Sequence, residues 1–277
     1  MHSVIRGMLA DYSCTDGDDY LRALTEILHD VLLLGFREAG LLERAAICGG
    51  TALRVLHGLD RRSDGLEFCL LNPDSTFSLM EYADRMKEQL SRFGFQGELR
   101  RGSEGGAVLH GTYRGFMEAI DAPETVAKGF HPRKNMKIPV DVNRAPEKGL
   151  VMEQRFLQRP VPFPVHAVSL PDALAWNIHS LLSAGTGVDW FDFAWFVASF
   201  PEVRLSQLEE KLRNSGDYTE EAPLALDSVQ FGLVNRIKAL NIEAAKSEAA
   251  ACADNPAGLD HWSGDYFIEL VADLEAV

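Results

Sequence analysis

Positive charge is in short supply in this sequence: 27 Lys and Arg stand against 41 Asp and Glu, a formal net charge of −14 over 277 residues. So acidic a chain has no broad positive face to drive counterion release. That excludes nonspecific coating of nucleic acid and leaves only local groups to meet phosphate. The local groups are Arg61-Arg62, Arg100-Arg101 and Arg133-Lys134 with Lys137, each of which can equally be plain solvated surface charge. Long apolar runs are missing too. No stretch approaches the ~20 residues that span a bilayer, and the start from Met1 to Arg6 lacks the basic-then-apolar form of a secretion signal, so a cytoplasmic location and no membrane partner are expected. The four cysteines, Cys14, Cys48, Cys69 and Cys252, are scattered, which excludes a close-spaced zinc site or redox dithiol and predicts reduced thiols. The eight histidines form no ligand pair at helical spacing, and no serine sits in a glycine-flanked nucleophile elbow. Zinc-enzyme and hydrolase readings therefore have no residues to rest on.

What is present is the composition of a folded protein, 46% hydrophobic and 25% charged, enough for one large core or two modest ones. Leu21, Leu24, Ile27, Leu28, Val31 and Leu32 fall at helical spacing behind the acidic cap candidates Asp16 and Asp18, predicting an amphipathic helix to about Glu38. Ala45 to Cys48 reads as a short strand that runs through Gly49-Gly50 into a helix from Thr51 to His57. Leu66 to Leu71 reads as a second strand, and Phe77 to Phe93 as another helix opened by Ser75 or Thr76. A β-rich region runs from Phe95 to Tyr113. Met136 to Val142 is a clearer strand, whose Pro139 predicts an edge position or an irregularity. Beyond the proline-rich stretch Pro160 to Pro164 the pattern turns helical, over 171–182, 189–200, 205–212, 224–240 and from about 265. The architecture expected is α+β (mixed α/β), with an α/β domain over 1–165 built on a mixed sheet and a helical domain over 166–277.

The stretch Gly49-Gly50-Thr51-Ala52-Leu53-Arg54-Val55-Leu56-His57-Gly58-Leu59, succeeded by Arg61, Ser63 and Leu66-Glu67-Phe68, resembles the opening motif of the AbiEii family of bacterial toxins. Lys137 to Arg144 resembles that family's strand with its third acid, at Asp141, and Ser169 to Leu182 with Val188 to Asp192 resembles its helical segment. The resemblance implies the fold of the DNA polymerase beta superfamily of nucleotidyltransferases. It further implies that Gly49, Gly50, Thr51 and Asn177 hold nucleotide phosphates and that Glu67 and Asp141 bind Mg2+ and are catalytic; Asp64 joins the catalytic set as a substitute for the acid missing at 65, if the strand begins late or carries a bulge. The physical sense is direct: N–H groups at a helix start attract phosphate, and alternate strand positions aim two carboxylates at one ion. The partners it implies are a nucleoside triphosphate, an RNA acceptor and an antitoxin protein.

The pattern is also broken at charged positions. The family's Asp-x-Asp would stand at 65 and 67, where this chain has Gly65 and Glu67; Asn177 replaces a lysine, and Val188 an arginine. Asp64 lies next door, on the alternate face of a regular strand. Glu67 and Asp141 can also be read as ordinary polar strand positions, and Asp189 and Asp192, among Trp190, Phe191, Phe193 and Trp195, as helix caps beside an aromatic core. Three functions are compatible with this pattern: transfer of a nucleotide from a nucleoside triphosphate to RNA or another acceptor; a degenerate nucleotidyltransferase fold kept as a binding module; or a small-molecule nucleotidyltransferase of the antibiotic-modifying kind, which suits an acidic protein.

Overall fold

The structure is a computed structural model that describes residues 2–131 and 133–277; Met1, read above with the N-terminal segment, lies outside the described residues. The chain forms two compact units. The first comprises the chain up to Thr51, Asp64–Pro146 and Gln154–His166. It begins with helices α1 (Ser3–Leu9) and α2 (Gly17–Glu38). The start of α2 is a capping box: Asp16 accepts from the backbone N–H groups of Asp18 and Asp19, while the Asp19 side chain reaches back to Asp16 N–H. Of its apolar stripe, Leu24, Ile27, Leu28, Val31 and Leu32 are wholly buried, as the spacing predicted, and Leu21 in the second turn is half-buried.

Strand β1 (Ala45–Cys48), buried at every position, runs without a loop into α3 (Gly49–His57), and β2 (Leu66–Leu70) comes next. The single helix predicted over 77–93 is divided. Ser78 accepts from Met80 N–H to open a 3-10 turn at Leu79–Tyr82, and the α-helix proper, α4, covers Ala83–Arg92. Then come β3 (Gly97–Arg101), β4 (Ala107–Thr112), the short helices α5 (Tyr113–Ala119) and α6 (Glu124–Gly129), β5 (Asn135–Asn143), β6 (Met152–Leu157) and β7 (Phe163–Val168). The last two strands, α5 and α6 have no counterpart in the sequence reading.

Seven strands make one sheet in the order β3-β4-β5-β2-β1-β7-β6. It is mixed, with β2 and β5 parallel while β3–β4, β4–β5 and β1–β2 are antiparallel. Strand β5 is therefore interior, not the edge its proline predicted. Pro139 is tolerated because it faces Val108 on β4 but precedes the β2 ladder, whose first pair is Leu66 with Val140. Met136, Ile138 and Val140 of β5 are buried in the core, and Lys137, Pro139 and Asp141 point to the opposite, exposed face.

The second unit comprises Ala52–Ser63, Glu147–Glu153 and Ala167–Val277. Its elements are α7 (Leu170–Ser183), α8 (Gly187–Ser199), the two-residue strand β8 (Glu202–Val203), α9 (Leu205–Ser215), α10 (Leu226–Ala239), α11 (Ile242–Ala250), α12 (Gly264–Ala272) and β9 (Glu275–Ala276), which pairs with β8. Buried Trp190 lies 5.8 Å from Phe193 and 4.9 Å from Phe267 between ring centroids, and Leu174, Ile178 and Leu233 belong to the same buried cluster. Where the sequence placed one division after residue 165, two earlier segments join the helical unit through polar ties. Arg54 meets Asp254 at 2.7 Å and Arg61 meets Asp192, which hold 52–63. Buried Asp172 accepts from Val151 N–H at 2.7 Å and from Arg204 at 2.6 Å, and Gln207 donates to Lys148 C=O, which hold 147–153. Among the described residues no helix is long and apolar enough to cross a membrane. Among the described residues none of the four cysteines is in a disulfide, and Cys48 and Cys69 are buried.

Candidate active site

The chemistry-bearing residues of the first unit converge on the exposed side of the parallel pair β2–β5. The register sets Glu67 directly opposite Asp141, so both carboxylates project from the same face, on strands that run about 4.8 Å apart. Both side chains belong to alternating patterns whose other members are buried: Leu66 and Phe68 flank Glu67, and Val140 precedes Asp141. The core thus fixes which way the acids point, because a one-residue slip would bury both of them.

Beside this pair begins α3. Gly49 has φ +64°, a conformation open to glycine, and it lets the chain turn from β1 straight into the helix. Here the Glu67 side chain folds over the turn, and Gly50 N–H donates to Glu67 Oε2 at 3.1 Å. A Cβ at Gly49 would land on that carboxylate. The helix start therefore does attract an anion, as its unsatisfied N–H groups dictate, and in this structure the anion is the protein's own Glu67. Thr51 is buried, and its hydroxyl donates to the backbone carbonyl of Gly65, tying the first turn of α3 to the entry of β2.

Gly65 is the position where a second strand acid is absent, and the neighbouring strand explains how the gap is filled. A Cβ at Gly65 would lie 2.5 Å from the Pro139 carbonyl oxygen and 2.7 Å from its Cγ. Pro139 occupies the room that a side chain at 65 would need. Asp64 is exposed on the bend before β2, ahead of the first β2–β5 pair. Among the described residues no group of three or more His, Cys, Asp or Glu stands together as a metal site. Glu67 and Asp141 thus form a pair without a third acid.

The remaining sequence candidates belong to the helical unit. Asn177 on α7 donates from Nδ2 to the Asp189 carbonyl at 3.0 Å, while its Oδ1 is buried without a hydrogen-bond partner among the described residues. Asp189 caps its own helix: it accepts from Thr186 N–H and Oγ1, both at 2.7 Å, in a capping box. Asp192 receives a bidentate pair from Arg61, Nε to Oδ1 and Nη2 to Oδ2, each 2.5 Å. Burial pushes the Asp192 carboxyl above its ordinary range, against the opposing pull of Arg61. Arg61, read from sequence as surface or phosphate-binding charge, is instead a buried structural partner. Val188 is half-buried on the first turn of α8.

Sequence reasoning missed Pro139 as the occupant of the space at 65, and missed Glu67 as the anion at α3. A proline and a glycine opposed on adjacent strands was the available signal for the first, but reading it requires the register.

A family model described as nucleotidyl transferase AbiEii toxin, type IV TA system, matches residues 31–260. No curated protein matches the sequence. Among solved structures, the fold is similar to that of MenT4, a nucleotidyltransferase toxin from Mycobacterium tuberculosis H37Rv, with 16% identity, 99% of this chain and 98% of that chain covered, and a TM-score of 0.52. A candidate nucleotidyltransferase from Helicobacter pylori aligns at 11% identity, covering 90% of this chain and 91% of its own, with a TM-score of 0.49. JHP933, also from Helicobacter pylori, aligns at 11% identity over 94% and 90% with a TM-score of 0.47.

Proposed function

This chain belongs to the AbiEii nucleotidyltransferase toxin family, and from that premise we propose that it transfers a nucleotide from a nucleoside triphosphate to the hydroxyl of an RNA or other acceptor. The observation that supports this reading most is the register of β2 on β5, which sets Glu67 beside Asp141 on one exposed face next to the start of α3. In the proposed reaction the acceptor oxygen bonds to the α-phosphorus, the bond to pyrophosphate breaks, and the acceptor's proton passes to Asp141. The triphosphate lies at Gly49 and Gly50, where it takes over the Gly50 N–H now bonded to Glu67.

The donor set suits magnesium: two hard carboxylate oxygens on one face, with the remaining positions left to water and phosphate, is how that ion is commonly held. Glu67 and Asp141 would hold it, with Asp64 as a reserve ligand from the bend, and the ion would neutralise charge on the phosphates. Displacement of Glu67 from Gly50 is what makes it available to the ion. Nucleotide binding and metal binding are then two halves of one exchange. Thr51 supports the cradle by fixing α3 to Gly65. By the toxin–antitoxin description of its family, an antitoxin protein is the proposed partner.

A second reading, a degenerate fold that binds without catalysis, is favoured by the packing of Pro139 into the space of a second strand acid. Titration calorimetry with each nucleoside triphosphate, with and without magnesium, separates the two. Magnesium-dependent binding abolished by both Glu67→Ala and Asp141→Ala supports the transferase. Binding indifferent to magnesium and to both substitutions refutes it and leaves the binding module.

A further inference from the structure

A cavity of about 400 Å3 opens at the edge of the sheet where β3 meets β4 and the end of α4, lined by Lys87, Ser91, Glu98, Arg100, His110 and Thr112. Its size falls within the usual range for small-ligand sites, about 300–1,000 Å3. Its charge is opposite to that of the protein as a whole. Lys87 and Arg100 are on its wall and Lys137 is the cross-strand partner of His110, against a single acid, Glu98, which is already bonded to Arg100 at 2.8 Å. His110 registers the local field: burial, then the charges of Arg100 and Lys137, holds its imidazole below the ordinary range.

The cavity is continuous in register with the candidate active face. His110 stands opposite Lys137, and Lys137, Pro139 and Asp141 share one side of β5. From Lys137 to Asp141 is about 13 Å along the strand, four residues at roughly 3.3 Å each. At the other end, Thr112 and Asn135 close the ladder and lead directly into Tyr113 and Lys134. There the Tyr113 and Phe130 rings lie stacked at 5.3 Å, 6° from parallel, with Lys134 Nζ 5.2 Å from the Tyr113 centroid. Half-buried aromatic rings interleaved with lysine and arginine beside a basic cleft are the elements that hold single-stranded nucleic acid, the rings taking bases and the cations the backbone.

We propose that this cavity is a docking site for the sugar–phosphate backbone of a single-stranded nucleic acid, with Lys87, Arg100 and Lys137 meeting phosphate and the Tyr113–Phe130 stack receiving a base. It rests on the transferase reading only for its purpose, which is to lead a strand along β4 and β5 toward Asp141. Glu98 weakens the site, because its carboxylate competes with phosphate for Arg100.

The test is fluorescence anisotropy of the full chain with a short labelled single-stranded oligoribonucleotide over a salt series, with nucleoside triphosphate binding measured on the same samples by calorimetry. Three phosphate contacts predict a log–log salt slope of about −2, and each lost cation lowers it by about 0.7. Arg100→Ala and Lys87→Ala are expected to weaken the strand about tenfold each, the scale of a charge-assisted contact. Glu98→Gln is expected to tighten it, a gain that misfolding cannot imitate. Absence of strand binding, or binding that ignores all three substitutions, overturns the site. Triphosphate binding without strand binding overturns the docking site alone, and strand binding without triphosphate binding leaves it standing while the transferase reading falls.

Discussion

Restoring a side chain at position 65 tests whether the gap in the strand motif is open space or filled structure. For Gly65→Ala the added Cβ would lie 2.5 Å from Pro139 O, about 0.9 Å inside the 3.4 Å at which ordinary contact begins. The obstacle is backbone on an interior strand, and it cannot rotate aside as a side-chain tip would. Overpacking of this kind costs about 1–3 kcal/mol. At roughly 2–4 °C per kcal/mol for a chain of this order of size, the melting temperature should fall by about 2–12 °C. Gly65→Asp should fall at least as far, and the rebuilt acid pair with Glu67→Asp should not improve magnesium-dependent binding. Pro139→Ala removes the Cγ contact at 2.7 Å and leaves the carbonyl, so Gly65→Ala/Pro139→Ala should recover only part of the loss. Thermal unfolding monitored by circular dichroism reads the stability variants, and titration calorimetry reads the rebuilt acid pair. A Gly65→Ala protein that melts with the wild type would refute the argument, and with it the view that Pro139 holds the acid's place.

Three further outcomes can be checked. Asp192→Asn leaves Arg61 buried without its countercharge and should cost about 3–5 kcal/mol, whereas the apolar double substitution Arg61→Met/Asp192→Leu should cost far less; equal losses in denaturant titrations would contradict this. The Asp19 carboxyl is held down to about 2, chiefly by the Thr15 hydroxyl and backbone N–H. Its contribution is therefore fully present above the ordinary carboxylate range and lost as pH falls from about 4 toward 2; Asp19→Asn should flatten that part of the melting-temperature profile, and an unchanged slope would count against the Thr15–Asp19 contacts. Gly49→Ala should destabilise the protein both through its φ of +64° and through collision with Glu67, so its penalty should shrink in a Glu67→Ala background. Strict additivity in that cycle would show that the carboxylate does not lie over the turn.

Features that depend on near neighbours were legible in the sequence. The capping acids of α2, the glycine turn after β1 and the stripes of α7 and α8 involve residues a few positions apart, and their types alone imply the structure. Strands β6 and β7 were not legible, because Glu153, Gln154, Arg155 and Phe156 show no clean alternation and prolines punctuate the segment from 160 to 164. The Arg61–Asp192 pair joins residues 131 apart, and no local pattern distinguishes a buried arginine from a solvated one. The site divides in the same way. The acids and the glycines were identifiable by type, but that Glu67 caps α3 and Pro139 fills the place beside Gly65 depends on register, which is a property of paired strands.

Strand β5 also bears on how such a site can change over evolutionary time. Its buried residues and its exposed candidate-site residues occupy alternate places in the same nine-residue segment. Point changes at 137, 139 or 141 can rewrite the exposed face while Met136, Ile138 and Val140 keep the fold, whereas a single inserted or deleted residue would exchange the two sets. Chemistry on such a strand drifts easily. An acid is not as easily placed at 65, since its Cβ meets the carbonyl oxygen of residue 139, which any residue there carries. Room at 65 has to come from a shift of the strand backbone, and exchanging the side chain at 139 supplies only part of it.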